Sequence, residues 1–358
     1  MSTRQTLFKV KAVDRKFYEE RLKDFLPSKI IDIHTHVWLD KFKSLDANAP
    51  SRVVSWPAKV ARDNSIEDLI KTYQLMFPGK EVTPLIFGSV GPGDDFSVAN
   101  EYIKKSSEKY GFPSLIFASP EWSSEEFEAD ILSGGFLGCK VYLSLSKYYI
   151  PEKEIRIFDF LPHHQLKVLN KHGWIAMLHI PRDGRLRDPV NLHQMMEIEQ
   201  RYPNVKLIIA HVGRAYCNED IGDAFNVLSG SKNMVFDFSA NTNRVVFEQL
   251  IGAVGSKRIL FGSDMPILRM RTRRICENGK YINLVPKGLY GDVSDDSHMR
   301  EVEGQDALNI TFFMYEEIDA FRLASQAVGL NKEDIESIFY KNARNLINSV
   351  KGVSDDNT

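Results

Sequence analysis

The chain has 358 residues, with 46 lysines and arginines against 48 aspartates and glutamates, so its formal net charge is -2. Hydrophobic residues at 43% and charged residues at 26% exclude a disordered chain, a collagen-like repeat and a disulfide-stapled mini-protein. The near-neutral balance argues against a dedicated nucleic-acid binder, and apolar stretches of about eight residues fall short of the roughly 20 that span a bilayer.

Three cysteines, Cys139, Cys217 and Cys276, are scattered without a CxxC pair. That pattern predicts free thiols in a reducing compartment. The opening segment, MSTRQTLFKVKAVDRKFYEERL, is charged throughout and has no apolar core. No signal peptide is legible in it, and the expectation is a globular cytoplasmic protein with no membrane span.

In chain order, a helix is predicted over residues 13–26, followed by the first of eight short apolar or β-branched runs. The runs are 29–34, 82–90, 114–118, 137–142, 174–179, 205–211, 234–239 and 258–262. Most are apolar on both faces, as buried parallel strands are. Amphipathic segments with helix start and stop signals lie between them. Ser123 with Glu126 reads as a capping box for a helix that stops at Gly134–Gly135. Pro162 opens a helix ending at Gly173, and Asp188–Pro189 opens one that closes before Pro203. Asn218 is read as the cap of a helix reaching Gly230, and Asn243 as the cap of one ending at Gly255.

A run of eight βα units favours a closed (β/α)8 TIM barrel over an open Rossmann sheet. The whole chain, 1–358, is read as one domain: barrel core 29–264, insertion 269–306, C-terminal helices 307–350 and a polar tail 352–358. Long segments after the first strand (37–63) and the eighth (269–306) fall on the C-terminal face of such a barrel. Active sites form there, and these segments would act as a lid.

Nine histidines are present, and four stand at strand ends: His34, His36, His179 and His211. Asp264 follows the eighth strand in FGSDMP. A lone His-x-His is weak evidence, but a barrel brings all these ends together. Alternate side chains of a strand share a face, so Asp32, His34 and His36 are expected to point the same way. Two imidazoles at that spacing grip one divalent ion, and a third imidazole with a carboxylate completes its shell. Such a donor set, without thiolate, suits zinc, and also iron, manganese or nickel. The opposing reading is a set of structural histidines, each bonded to backbone.

IDIHTHVW, GCKVY, WIAMLHIP, PNVKLIIAHVGRA, MVFDFSA, ILFGSDMP and IFYKNARNLI occur in that order. They resemble the amidohydrolase superfamily, and more narrowly its amidohydrolase-2 branch of metal-dependent hydrolases and decarboxylases. The resemblance implies that His34 and His36 bind metal with His179 and Asp264. It implies that His211 holds a second metal or serves as acid/base, and that Asp264 also handles the proton of the attacking water. Relatives often dimerise.

Lys140 occupies the place where some members carry a carboxylated lysine bridging two metals. It is read in three ways: as that carbamate, as an ammonium facing an anionic substrate, or as half of an ion pair with Asp32 or Asp237. Arg182 and Arg214 each follow a strand-end histidine by three residues and are read as rim contacts for a carboxylate. The arginines at 269, 271, 273 and 274 either extend that site or form a solvated face. Trp38 and Tyr142 are read as walls of the pocket, and Asp32 as the carboxylate orienting an imidazole. Cys139, of opposite parity to Lys140, is expected to face the helices.

The expected activity is metal-dependent hydrolysis of a C–N or C–O bond in a small, carboxylate-bearing molecule, with zinc as the first choice of metal. The alternative is metal-dependent, non-oxidative decarboxylation of an aromatic or unsaturated acid. A metal-free lactonase and a non-catalytic binding protein are the remaining readings.

Overall fold

The computed structural model describes residues 7–43, 59–91 and 93–352. Most of the loop predicted over 37–63, and the tail beyond Gly352, therefore lie outside the described residues. Eight strands alternate with helices in the predicted order. They are β1 (Lys29–His36), β2 (Glu81–Phe87), β3 (Ile116–Phe117), β4 (Gly138–Val141), β5 (Ile175–Leu178), β6 (Lys206–Ile209), β7 (Val235–Asp237) and β8 (Ile259–Leu260).

β1 pairs with β2, and β3 to β8 form one sheet in sequence order, every pair parallel. At the two seams the pairing narrows to single bridges, Ile86 with Ser114 and Thr35 with Met265. Backbone bonds from Leu115 N to Ile86 O and from Ile33 N to Phe261 O, both 3.0 Å, cross the same seams. The expected closed barrel is thus met in part, as two parallel sheets joined at two narrow seams. β8 has only two residues to pair with, and the amide of Phe261 goes to the carbonyl of Ile338 instead (3.2 Å).

Local chemistry explains the helices. Ser123 and Glu126 form the expected capping box, and Gly135 ends that helix at φ 64°. Asp188 caps Pro189–Arg201 through the amides of Val190 and Asn191, and Asn243 caps Arg244–Val254 in the same way. The N-terminal helix is Ala12–Phe17, followed by a π-helical turn at Tyr18–Leu22. The segment after Asn218 departs from expectation. It makes one 3-10 turn, and its helix spans only Ala224–Ser229, because the Asp220 carboxylate is bonded to Arg185 and to the amides of Tyr216 and Cys217.

The sheet interior is filled by Ile31, Ile33, Leu85, Phe87, Ile175, Met177, Ile208, Val235 and Leu260, against which Ala343 and Ile347 of the last helix pack. Cys139 and Val141 belong instead to the larger core under the helices, as parity predicts for Cys139. β1 breaks the simple alternation. Its register against β2 slips between Asp32 and Thr35. Such a slip exchanges the two faces of a strand. Ile31 and Ile33 therefore face inward low in the sheet, and His34 and His36 face the cavity above.

The 269–306 segment is an insertion with its own sheet. β9 (Arg273–Glu277) pairs antiparallel with β10 (Lys280–Pro286), and β10 pairs parallel with β11 (Met299–Val302). The expectation of three free thiols is corrected: Cys217 and Cys276 are joined in a disulfide, with Cα atoms 5.8 Å apart, and Cys139 alone remains free. The two were read as unrelated because 59 residues separate them, and only the folded insertion brings them together. Among the described residues, no helix is long and apolar enough to cross a membrane.

Candidate metal centre

At the C-terminal ends of the strands a cavity of about 460 Å³ is lined by His34, His36, Lys140, His179, His211 and Asp264, with Trp38, Tyr142, Arg214, Tyr216, Arg274 and Tyr281 above them. Ligand atoms of His34, His211 and Asp264 all lie within 4.8 Å of one another. His36 completes the group from the side, its Nε2 3.4 Å from Asp264 Oδ1, the same distance as His34 Nε2. His179 stands further round, with its ring centre 5.2 Å from that of His211 and 4.4 Å from that of Tyr142.

The backbone is bent to make this possible. His211, Val212, Gly213 and Arg214 all have positive φ, 57°, 49°, 59° and 60°. A left-handed turn costs an ordinary residue about 1–2 kcal/mol, and a β-branched valine there is exceptional. Asp264 is also left-handed, at φ 51°. Its amide donates to the carbonyl of His34 (2.8 Å), which locks the end of β8 beside the end of β1. Gly262 is needed below, since a Cβ there would lie 2.9 Å from the Cβ of His34.

The hydrogen bonds fix how the imidazoles are protonated. His34 Nδ1 meets Asp237 Oδ2 at 3.0 Å, His36 Nδ1 meets the Gly88 carbonyl at 2.9 Å, and His211 Nδ1 meets the Ser239 carbonyl at 3.1 Å. Carboxylate and carbonyl oxygens only accept, so each ring carries its proton on Nδ1. The Nε2 lone pairs of His34 and His36 then face the Asp264 carboxylate, acceptor against acceptor. His34 Nε2 and His179 Nδ1 are buried without a hydrogen-bond partner. Lone pairs directed at an anion with no proton between them are the donor set of a divalent cation.

Burial, with the Lys140 charge added, lowers the His34 pKa to about 3, so the ring is neutral at pH 7. Burial also lowers His179 and His211, with the charges of Arg214 and Lys140 respectively acting in the same direction. For Asp264 burial acts upward, but its interactions with the rings of His36, His211 and His34 outweigh it, leaving a value of about 2.

Asp237 is the hub of the network. Besides His34 it accepts from the amides of His211 (3.0 Å) and Ser239 (3.1 Å) and from the Ser239 hydroxyl. Its burial would raise its pKa, but the His34 interaction reverses this and holds it well below the usual carboxylate range. The carboxylate that orients His34 is therefore Asp237. Asp32, read as that group, faces the other way because of the β1 slip. It accepts from Tyr73 Oη (2.8 Å) and from the amides of Ser263 (2.8 Å) and His34 (3.2 Å).

Arg182 does not line the cavity; its Nε donates to Asp188 Oδ2 (3.1 Å), while Oδ1 of the same carboxylate caps the helix. Arg214 does line it, steadied by the carbonyls of Pro181 (2.9 Å) and Ile180 (3.3 Å). Lys140 is 1% exposed, with Nζ 5.4 Å from the Phe87 ring centre. Burial lowers its pKa to about 8, and no carboxylate lies within ion-pair distance among the described residues. The pairing with Asp32 or Asp237 weighed from the sequence is therefore not made.

Tyr216, Ser239 and Tyr281 were not singled out from the sequence, whereas Arg274, of the arginine run read as a site extension or a solvated face, lines the cavity. Ser239 carried a usable signal, because Asp237-x-Ser239 leaves β7 with the same spacing as the histidine pair.

The amidohydrolase family model matches residues 31–274. No curated protein sequence matches the chain. Solved structures do. One is a probable 2-pyrone-4,6-dicarboxylic acid hydrolase from Acinetobacter baumannii with citric acid bound (14% identity, 89% of this chain, 98% of that one, TM-score 0.54). Another is a 2,6-dihydroxybenzoate decarboxylase complexed with 2,6-dihydroxybenzoate (14% identity, 90% and 99% covered, TM-score 0.53). A third is a dihydroxybenzoic acid decarboxylase from a Polaromonas species with bound manganese and 2-nitroresorcinol (16% identity, 90% and 97% covered, TM-score 0.52). At these identities the likeness is one of fold.

Proposed function

The chain belongs to the amidohydrolase family, and from that membership we propose that it is a metal-dependent hydrolase of a small carboxylate-bearing substrate. The observation that carries the reading is the convergence of Nε2 lone pairs from His34 and His36 on the Asp264 carboxylate, with no proton between them. His34, His36, His211 and Asp264 would hold the ion, with His179 at its edge. Zinc fits this donor set, and so does manganese. When bound, a divalent cation supplies Lewis-acid polarisation of an oxygen and lowers the pKa of water beside it.

The protein's own groups do the rest. Asp264 has one oxygen turned to the imidazoles, and its other oxygen takes the proton of the attacking water and returns it to the leaving group. Asp237 holds His34 in the tautomer that keeps Nε2 open. Arg214 binds the substrate carboxylate at the rim, and Trp38 and Tyr142 flank the substrate. Asp264→Asn keeps the shape of the side chain but removes its base. It is expected to reduce hydrolytic turnover by about 100-fold or more with the fold intact, the scale of a lost general base. Unchanged turnover would remove Asp264 from this role.

A second reading, decarboxylation, draws on Lys140. A buried amine at the cavity floor, with no carboxylate in pairing distance among the described residues, suits a substrate carboxylate better than a structural ion pair does. Release of CO2 from a carboxylic-acid panel, with no hydrolytic product, would select it.

A further inference from the structure

Two segments far apart in sequence build the roof of the cavity. The turn after β6 brings Arg214 and Tyr216, and the β9–β10 hairpin brings Arg274 and Tyr281. The disulfide joins these segments at the positions that matter. Cys217 directly follows Tyr216, and Cys276 stands opposite Tyr281 in the hairpin ladder, with Arg274 one inward-facing step away opposite Asn283.

The Arg274 guanidinium lies 4.4 Å from the ring centre of Tyr281, 4.8 Å from that of Tyr216 and 4.5 Å from that of Phe313. Its Nε donates to Asn283 Oδ1 (2.9 Å), and Nη1 donates to the carbonyl of Ala240. The two ends of the cavity therefore differ. Its floor offers imidazole and carboxylate acceptors that take a cation, beside the Lys140 amine, and its roof presents fixed guanidinium groups. A substrate lying across it would place its reacting carbonyl low and an anionic group high.

We propose that Arg274, set in place by the Cys217–Cys276 bond, is the residue by which this chain selects substrates carrying a carboxylate remote from the reacting carbonyl, so that reducing the bond relaxes the selection. The proposal rests on the reading of this cavity as the active site. Reduction by a dithiol breaks one S–S bond and leaves two thiols. The dithiol supplies two electrons and two protons and closes to its own disulfide. Among the described residues β9 is then held by its ladder to β10 and by side-chain contacts, and Arg274 loses the covalent tie that holds its strand beside Tyr216.

The test uses the full-length protein as purified, with metal content measured on every sample. Calorimetry compares isophthalate with its neutral diamide as probes. The wild type is expected to prefer the dianion by about tenfold or more, the scale of a charge-assisted arginine–carboxylate bond. Arg274→Gln removes that preference, Arg274→Lys restores part of it, and dithiothreitol or Cys276→Ser weakens it several-fold at unchanged metal content. Unreduced, unfolded protein should show a single reactive thiol, that of Cys139. Three reactive thiols, no preference in the wild type, or a preference that survives both Arg274→Gln and reduction would overturn the proposal. Metal content tests the centre separately, so the two readings fail independently.

Discussion

Asp237 shows how much of the site depends on a group that never reaches the cavity floor. It fixes the tautomer of His34, accepts the amide that begins the left-handed turn at His211, and anchors Ser239. Asp237→Asn replaces an acceptor by an amide whose nitrogen only donates. One orientation then sets N–H against the Nδ1 proton of His34, and the other sacrifices the bonds to His211 and Ser239. Metal affinity should fall by about 10–100-fold, the cost typical of losing such a partner, with secondary structure unchanged, as read by competition with a chelating dye. The histidines were legible because imidazoles at strand ends are rare and barrel geometry gathers them. Asp237 was less so, because counting parity from Asp32 made Asp32 the orienting carboxylate. The one-residue slip in β1 that turns Asp32 away leaves no mark in the sequence.

Strands and helices were legible wherever a local signal marked their ends. Serine, aspartate and asparagine caps and left-handed glycines placed several helices within a residue or two of where they stand. The insertion was missed as structure because its strands alternate arginines and glutamates with apolar residues, which reads as a solvated loop. A signal was present: Asn278–Gly279, with φ of 52° and 72°, is the tight-turn dipeptide joining β9 to β10. At this scale Gly138 is the most exacting position in the sheet. Its φ is 141°, and a Cβ there would fall 2.0 Å from the carbonyl oxygen of Ile175 on β5. Backbone cannot yield as a side chain does. Gly138→Ala should therefore cost about 3 kcal/mol or more by urea denaturation, and a loss below about 1 kcal/mol would show that the β4–β5 pairing adapts.

The whole molecule contains another buried acid outside the cavity. Glu317, on the helix Phe313–Ala327, is fully buried, and among the described residues no side chain donates a hydrogen bond to its carboxylate. Burial, with the charge of Asp32 added, raises its pKa well above 4.5. The folded chain then holds a proton that the unfolded chain releases near pH 4.5, so stability falls as pH rises from there toward the raised value. Glu317→Gln removes this dependence. Its melting temperature should exceed that of the wild type at pH 9 by more than at pH 5, and equal differences at both would contradict the assignment.

The account as a whole stands on the metal. We would measure metal per chain by plasma mass spectrometry on protein purified without chelator, beside a His34→Ala/His211→Ala variant. The account predicts at least one divalent ion per wild-type chain, and a small fraction of that in the variant. A wild type that holds none after zinc and manganese are offered back, or a variant that holds as much, would contradict it.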